Sequence, residues 1–209
     1  MPGSRMPLLT GGLSLAALIT AVATAPVGAA ALPCQVPETD RHKITKINLD
    51  GDRAKELVDV FNFDGAESPV TELMVCNSVN GEFVRASLKP IWGPSPGSRE
   101  SGLRAAWVGD LDRADRRVEV AARNVISPSA GEELVILRQS RTIPLRFARL
   151  QTIAADTVTL TRPRGKAAYV TAALKANHSG DGKAHAEIWT YRPARGRWVC
   201  ATDCDGRPS

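Results

Sequence analysis

The sequence predicts an all-β protein built from three repeated antiparallel, blade-like units, with a β-sandwich or barrel as the alternative closure of the same strands. Three observations lead there. Beyond the N-terminal stretch, apolar residues fall in runs of three to five, too short for helices and suited to strands covered on both faces. Three segments can be laid over one another: "TELMVCNSVNGEFVRA" (71–86), "EELVILRQSRTIPLRFARL" (132–150) and "AEIWTYRPARGRWVCA" (186–201). Each of these follows a further β-rich run: "KELVDVFN" (55–62), "RRVEVAARN" (116–124) and "KAAYVTAALKAN" (166–177).

Taken in order, each superposable segment opens on a glutamate, Glu72, Glu133 or Glu187, followed by a dense apolar or aromatic run. Each run breaks at a polar turn and resumes as a second short run: Phe83-Val84, Leu145-Arg146-Phe147 and Trp198-Val199. Short β-rich runs around polar turn residues are the pattern of a hairpin. The glutamates lie 61 and then 54 residues apart, so a unit of three or four strands recurs. The units are expected at about residues 44–88, 107–152 and 156–203, within one domain spanning 32–209.

Residues 1–31 are expected to be a secretory signal peptide. Arg5 supplies a positive start, "PLLTGGLSLAALITAVATAPVG" an apolar stretch broken by Gly and Pro, and "GAAALP" the small residues a signal peptidase requires. That stretch lacks the roughly 20 uninterrupted apolar residues of a membrane span. Four cysteines follow: Cys34, Cys76, Cys200 and Cys204. An even number in an exported chain reads as two disulfides, with three pairings open. Cys34 opens the processed chain, where a tether against fraying gains most, and Cys200 and Cys204 are near neighbours. The expected pairs are therefore Cys34 with Cys76 and Cys200 with Cys204. A zinc knuckle at Cys200 and Cys204 lacks a second Cys/His pair at zinc spacing.

Charge is lopsided. Residues 32–106 carry nine basic and eleven acidic side chains, and residues 107–209 carry seventeen and eleven. The basic side chains gather in "RQSRTIPLRFAR", "TRPRGK" and "RPARGR". They are either solvated hairpin tips or a surface for acidic polymers of the cell exterior. Aromatic residues are not interleaved with the basic runs as they are in single-strand nucleic-acid binders. The expected partner is thus an extracellular protein or an acidic polymer, and not nucleic acid.

The stretch "NLDGDRAKE" (48–56) has the spacing of a cation loop. Asn48, Asp50 and Asp52 would offer side-chain oxygens at positions 1, 3 and 5, Ala54 its carbonyl at position 7, and Glu56 would close the site at position 9. A polar turn held by its own backbone hydrogen bonds is the other reading. The second unit opens on "VGDLDRADRRVEVAA", where Asp110, Asp112 and Asp115 form a weaker candidate. Inserting one residue there brings Glu119 onto Glu56. The third unit keeps the strands and loses the acids.

"NLDGDRAKELVDV" and "GDLDRADRRVEV" resemble the D-L-N-G-D-G-x-x-E-L-V signature of FG-GAP (VCBS-type) repeats, the blades of the integrin-alpha N-terminal β-propeller and of many secreted bacterial proteins. The resemblance covers about residues 44–201. It implies a four-stranded antiparallel blade per unit and calcium in the loop before the second strand, held by the residues at 48–56. Arg53 stands where the family has glycine. Three units fall short of the four to eight blades of a closed propeller, which leaves an open arc, a fourth blade from the chain ends, or a homo-oligomer.

Catalytic patterns are weak. "GPSPG" (93–97) matches a nucleophile elbow in form, but Pro94 and Pro96 around Ser95 oppose the required strand–turn–helix. His178 and His185 flank "SGDGKA" and would need Asp181 to share a metal. The expected function is an exported, non-enzymatic binding or adhesion module with a calcium-stabilised loop. A secreted hydrolase or its accessory domain, and a structural envelope protein, are the alternatives.

Overall fold

A computed structural model of the chain describes residues 34, 42–64, 69–77, 79, 81–87, 102–127, 131–179, 182–202 and 204. Among them the chain is all-β, and no helix is long and apolar enough to cross a membrane. Twelve strands form three four-stranded antiparallel sheets, each a meander in chain order. The first sheet holds β1 (His42–Ile47), β2 (Glu56–Asp64), β3 (Pro69–Cys76) and β4 (Phe83–Ser87). The second holds β5 (Gly102–Gly109), β6 (Glu119–Ser127), β7 (Gly131–Gln139) and β8 (Phe147–Ala155). The third holds β9 (Thr157–Thr161), β10 (Tyr169–Leu174), β11 (His185–Arg192) and β12 (Arg197–Cys200).

The middle sheet is covered on both faces, which explains why β7 is apolar without alternation. Val135 and Leu137 of β7 pack with Val58, Val60, Leu73 and Val75 of the first sheet. Leu134 and Ile136, pointing the other way, pack with Val158, Val170, Trp189 and Trp198 of the third. On β11, Ile188 and Thr190 occupy the positions of Leu134 and Ile136. Ile188 is 37% exposed where Leu134 is fully buried. β9 and β10 accordingly alternate between buried and more exposed residues, the pattern of strands with one covered face.

Polar side chains fasten one sheet to the next. The Leu103 N–H donates to Asn62 Oδ1 at 2.8 Å, and the Thr71 hydroxyl donates to Asn124 Oδ1 at 2.8 Å. The Val158 N–H donates to Glu132 Oε2 at 2.8 Å. Between β8 and β9 a single residue, Asp156, makes the crossing from the second sheet to the third. Gly131 passes beside this crossing with φ 86°, where a Cβ would collide with the Ala155 carbonyl, so only glycine fits.

Both expected disulfides are present. Cys34 is joined to Cys76 and Cys200 to Cys204, with Cα–Cα distances of 6.0 and 6.2 Å. The first ties Cys34 to the C-terminal end of β3. The second closes the chain after β12. Replacing Cys34 and Cys76 together by serine is expected to lower unfolding free energy by about 4 kcal/mol, against about 2 for the short Cys200–Cys204 loop, on chain entropy alone. Urea unfolding of the two variants checks the order, and a larger loss from the short loop would contradict it.

The Asp156 crossing also has an electrostatic signature. Burial would raise its carboxyl, but the Lys175 amide on Oδ2 and His178 Nδ1 on Oδ1, both at 2.6 Å, together outweigh burial and hold it below the ordinary value of 3.8. A carboxylate lowered in the folded state adds stability above its unfolded value, and this is lost as pH falls through the folded one. Asp156→Asn is therefore expected to flatten the acid limb of thermal stability below pH 3.8. An acid limb as steep as that of the unmodified protein would show that the crossing does not depend on this charge.

Candidate functional site

The loops before β2 and β6 are built alike. Asn48 Oδ1 accepts the Gly51 N–H at 2.7 Å, as Asp110 Oδ1 accepts the Arg113 N–H at 2.7 Å. Asp50 Oδ1 accepts the Asp52 N–H at 3.1 Å, as Asp112 Oδ1 accepts the Ala114 N–H at 2.7 Å. Gly51 has φ 87° and Arg113 φ 55°, so both loops turn through the left-handed region at the same place. Leu49 and Leu111 then plug the first and second core, respectively. Their carbonyls are fixed from the next sheet: Gln139 Nε2 donates to the Leu49 carbonyl at 2.6 Å, and the Ala168 N–H to that of Leu111 at 2.7 Å.

Each loop closes on a buried glutamate at the head of the following strand. Glu56 Oε2 accepts the Leu49 N–H at 2.7 Å, and Glu119 Oε2 accepts the Leu111 N–H at 2.8 Å. Both glutamates are fully buried. The bond spans seven residues in the first loop and eight in the second, which is the one-residue insertion expected from the sequence. Carboxylate oxygens of Asp50, Asp52 and Glu56 come within 4.8 Å of one another, and so do those of Asp110, Asp112 and Glu119. These acidic groups could hold a metal ion.

The two clusters differ in their counter-charge. Glu119 pairs through Oε1 with Arg138 Nε at 2.8 Å, and Arg138 Nη2 contacts Asp112 Oδ2. Arg138 lies opposite Glu119 in the β6–β7 register, is almost fully buried, and sits 4.3 Å over the Tyr191 ring while donating to the Tyr191 hydroxyl. The second loop thus contains its own cation. In the first loop, Glu56 Oε1 is buried with no hydrogen-bond partner among the described residues. Cys76, the partner of Leu57, ends β3, and the residue after it is the neutral Asn77.

Burial, the largest influence, pushes the Glu119 carboxyl up to about 8, and Asp110 and Asp115 push the same way. A guanidinium in contact pulls in the other direction. With a permanent cation at 2.8 Å, the carboxylate is the form that fits the geometry.

The sequence-based sites sort as follows. Asp50, Asp52 and Glu56 converge. Asn48 braces the turn, its amide donating to the Asp52 carbonyl. Ala54 is tied in by its N–H, which donates to Asp52 Oδ1 at 2.6 Å. In the second loop Asp110 and Asp112 converge with Glu119 in place of Asp115. Asp115 turns to Arg117, whose guanidinium holds it below the usual carboxylate range, and lies 3.5 Å from Arg141. The extra residue of this loop carries Asp115 out of the cluster. His178 is engaged by Asp156, and His185 Nδ1 faces the Lys183 carbonyl at 3.1 Å. Ser95 with its flanking prolines, and Asp181, lie outside the described residues.

Sequence reading missed Arg138. The available signal is an arginine ending the apolar run "LVILR", on a strand whose antiparallel neighbour begins with glutamate. No family model matches the chain, and no curated protein or solved structure shows a significant match.

Removing the internal cation leaves two carboxylates buried without it. Arg138→Met is expected to destabilise the protein by about 3–5 kcal/mol, and adding Asp112→Asn and Glu119→Gln should recover part of the loss. Denaturant unfolding of the single and triple variants checks this. A single variant within about 1 kcal/mol of the unmodified protein would mean that the cluster does not rely on Arg138.

Proposed function

We propose that this protein is an exported, non-enzymatic binding or adhesion module of the FG-GAP (VCBS) type, whose 48–56 loop holds a calcium ion. The observation that carries the calcium reading is Glu56: a fully buried carboxylate with one oxygen unpartnered, facing Asp50 and Asp52. A hard divalent cation accepts six to eight oxygens at about 2.3–2.6 Å and relieves the repulsion of carboxylates held this close. The twin loop supports the same reading, because there an arginine meets that demand. Export is supported by the leader-like N-terminal stretch and by two disulfides, which suit an oxidising compartment. The proposed partner is an extracellular protein or an acidic polymer, with the basic hairpin loops as the recognising surface.

Calcium would hold the 48–56 loop in the form that presses Leu49 into the first core. We expect an affinity on the order of 10⁻⁴–10⁻³ M, as in extracellular calcium modules. At calcium tenfold above the dissociation constant the folded state gains about 1.4 kcal/mol. Calorimetry and thermal melts with chelator or calcium test this, with Glu56→Gln as control: its amide oxygen still accepts the Leu49 N–H, but the charge is gone. A melt indifferent to calcium, with no heat of binding, would reduce the loop to a polar turn. Turnover of a polysaccharide, peptide or ester, abolished by one substitution, would replace the binding-module reading with a hydrolase.

A further inference from the structure

Beside the second loop lies a cleft of about 470 Å³, within the size range of ligand sites. The end of the second sheet forms one wall, through Arg117, Gln139, Ser140, Arg141 and Arg149. The turn between β11 and β12 forms the other, through Tyr191, Pro193 and Gly196. The two hairpin segments that border it, 138–149 and 192–197, contain seven arginines, no lysine and no acidic residue. The chain's lysines all lie elsewhere, so the charge here is specifically guanidinium.

Arg138 and Arg117 are held inside the protein, and Arg149 has a partner of its own. Arg138 serves Asp112 and Glu119, and Arg117 grips Asp115 with Nε at 2.7 Å and Nη2 at 2.6 Å. Among the described residues Asp115 is the one carboxylate on the lining, and it shows the chemistry the cleft accommodates: an oxyanion against a planar fork. Arg141 reaches Asp115 only at 3.5 Å and keeps 74% of its side chain in solvent. Arg146, Arg192, Arg195 and Arg197 are exposed on the two segments that border the cleft. A single small anion would meet a fraction of this surface. A chain bearing an anionic group on successive units would meet the cleft and both bordering segments.

We infer that this cleft binds an acidic saccharide chain, its carboxylate or phosphate groups held by Arg141 and the exposed arginines of the two bordering segments. The inference deepens the binding-module reading and rests on it. Fork-shaped donors read such oxyanions in pairs of hydrogen bonds, which lysine does not. The Ser140 hydroxyl adds a polar group suited to sugar hydroxyls, while the buried Gln139 amide is engaged by the Leu49 and Pro144 carbonyls. Among the described residues the apolar part of the lining comes from Ala114, Ala148, Leu150, Pro193 and the Tyr191 ring, spread along an open cleft instead of a deep apolar pocket that anchors a peptide side chain.

Calorimetry with the full chain tests the site, using oligogalacturonate, a phosphate-bearing glycan, a neutral oligosaccharide and oligoglutamate as probes. One or both acidic glycans should bind, more weakly as salt rises, and the stronger of the two identifies the oxyanion. The Arg141→Gln, Arg195→Gln double variant should lose about tenfold or more in affinity with an unchanged melt. Lys43→Gln with Lys46→Gln, which removes the same charge from β1, should bind normally. Equal weakening in both double variants, or oligoglutamate binding as tightly as the glycans, would mean that diffuse charge is all that is read. Silence with every probe would also overturn the inference. Glycan binding that survives the arginine substitutions would overturn the cleft and leave the binding module standing, whereas glycan cleavage would remove the binding module itself.

Discussion

A carboxylate buried at the head of a strand has to be answered by positive charge, and the loop region of this protein is organised by that constraint. Glu56 and Glu119 each leave water to accept a backbone N–H from the loop that precedes them. That bond fixes the loop, the loop positions Leu49 or Leu111, and the leucine seals a core between sheets. Desolvating an acid is costly without a compensating charge or donor. The second loop meets the cost within the chain, through Arg138. Among the described residues the first has no such partner, and so one local design has a self-sufficient copy and a copy whose acidic groups could hold an ion.

The same constraint reaches the third sheet. Arg138 bonds Tyr191, and Tyr191 meets Trp198 edge to face with ring centroids 6.3 Å apart. The internal cation is therefore also part of the packing between the second and third sheets, and it forms the floor of the arginine cleft. Compensation inside the loop leaves Arg141 and the exposed arginines of the bordering segments to face solvent. A basic surface is thus assembled above an electrostatically balanced base. Charge is separated by depth, with paired charge beneath and a guanidinium surplus above.

Layering explains why three sheets suffice for a stable body. The middle sheet is sealed by neighbours on both faces, and the third sheet turns outward with Thr190 and a partly exposed Ile188 where the earlier sheets carry core residues. In stacked repeats the terminal unit takes a more polar outer face. The one-residue crossing at Asp156 and the glycine at 131 keep the second and third sheets in close register.

Much of the fold is legible in the sequence because its signals are local. Apolar runs of strand length, turn residues between them, and three glutamate-headed hairpins all operate within a few residues, so strand identity and hairpin order follow from the chain directly. The 48–56 loop is legible for the same reason, since its members stand at alternate positions and bond one another. The disulfide pairs follow from chain position and nearness. Contacts made across strands and sheets were decided only by tertiary structure. Arg138 meets Glu119 through strand pairing 19 residues away, Gln139 reaches Leu49 across 90, and the cleft joins two hairpin segments from different sheets. Asp115 shows the boundary between the two kinds of information. Its spacing resembled that of a ligand, but the inserted residue turned it to Arg117, because one added residue redirects a side chain in a tight loop while leaving the composition of the motif intact.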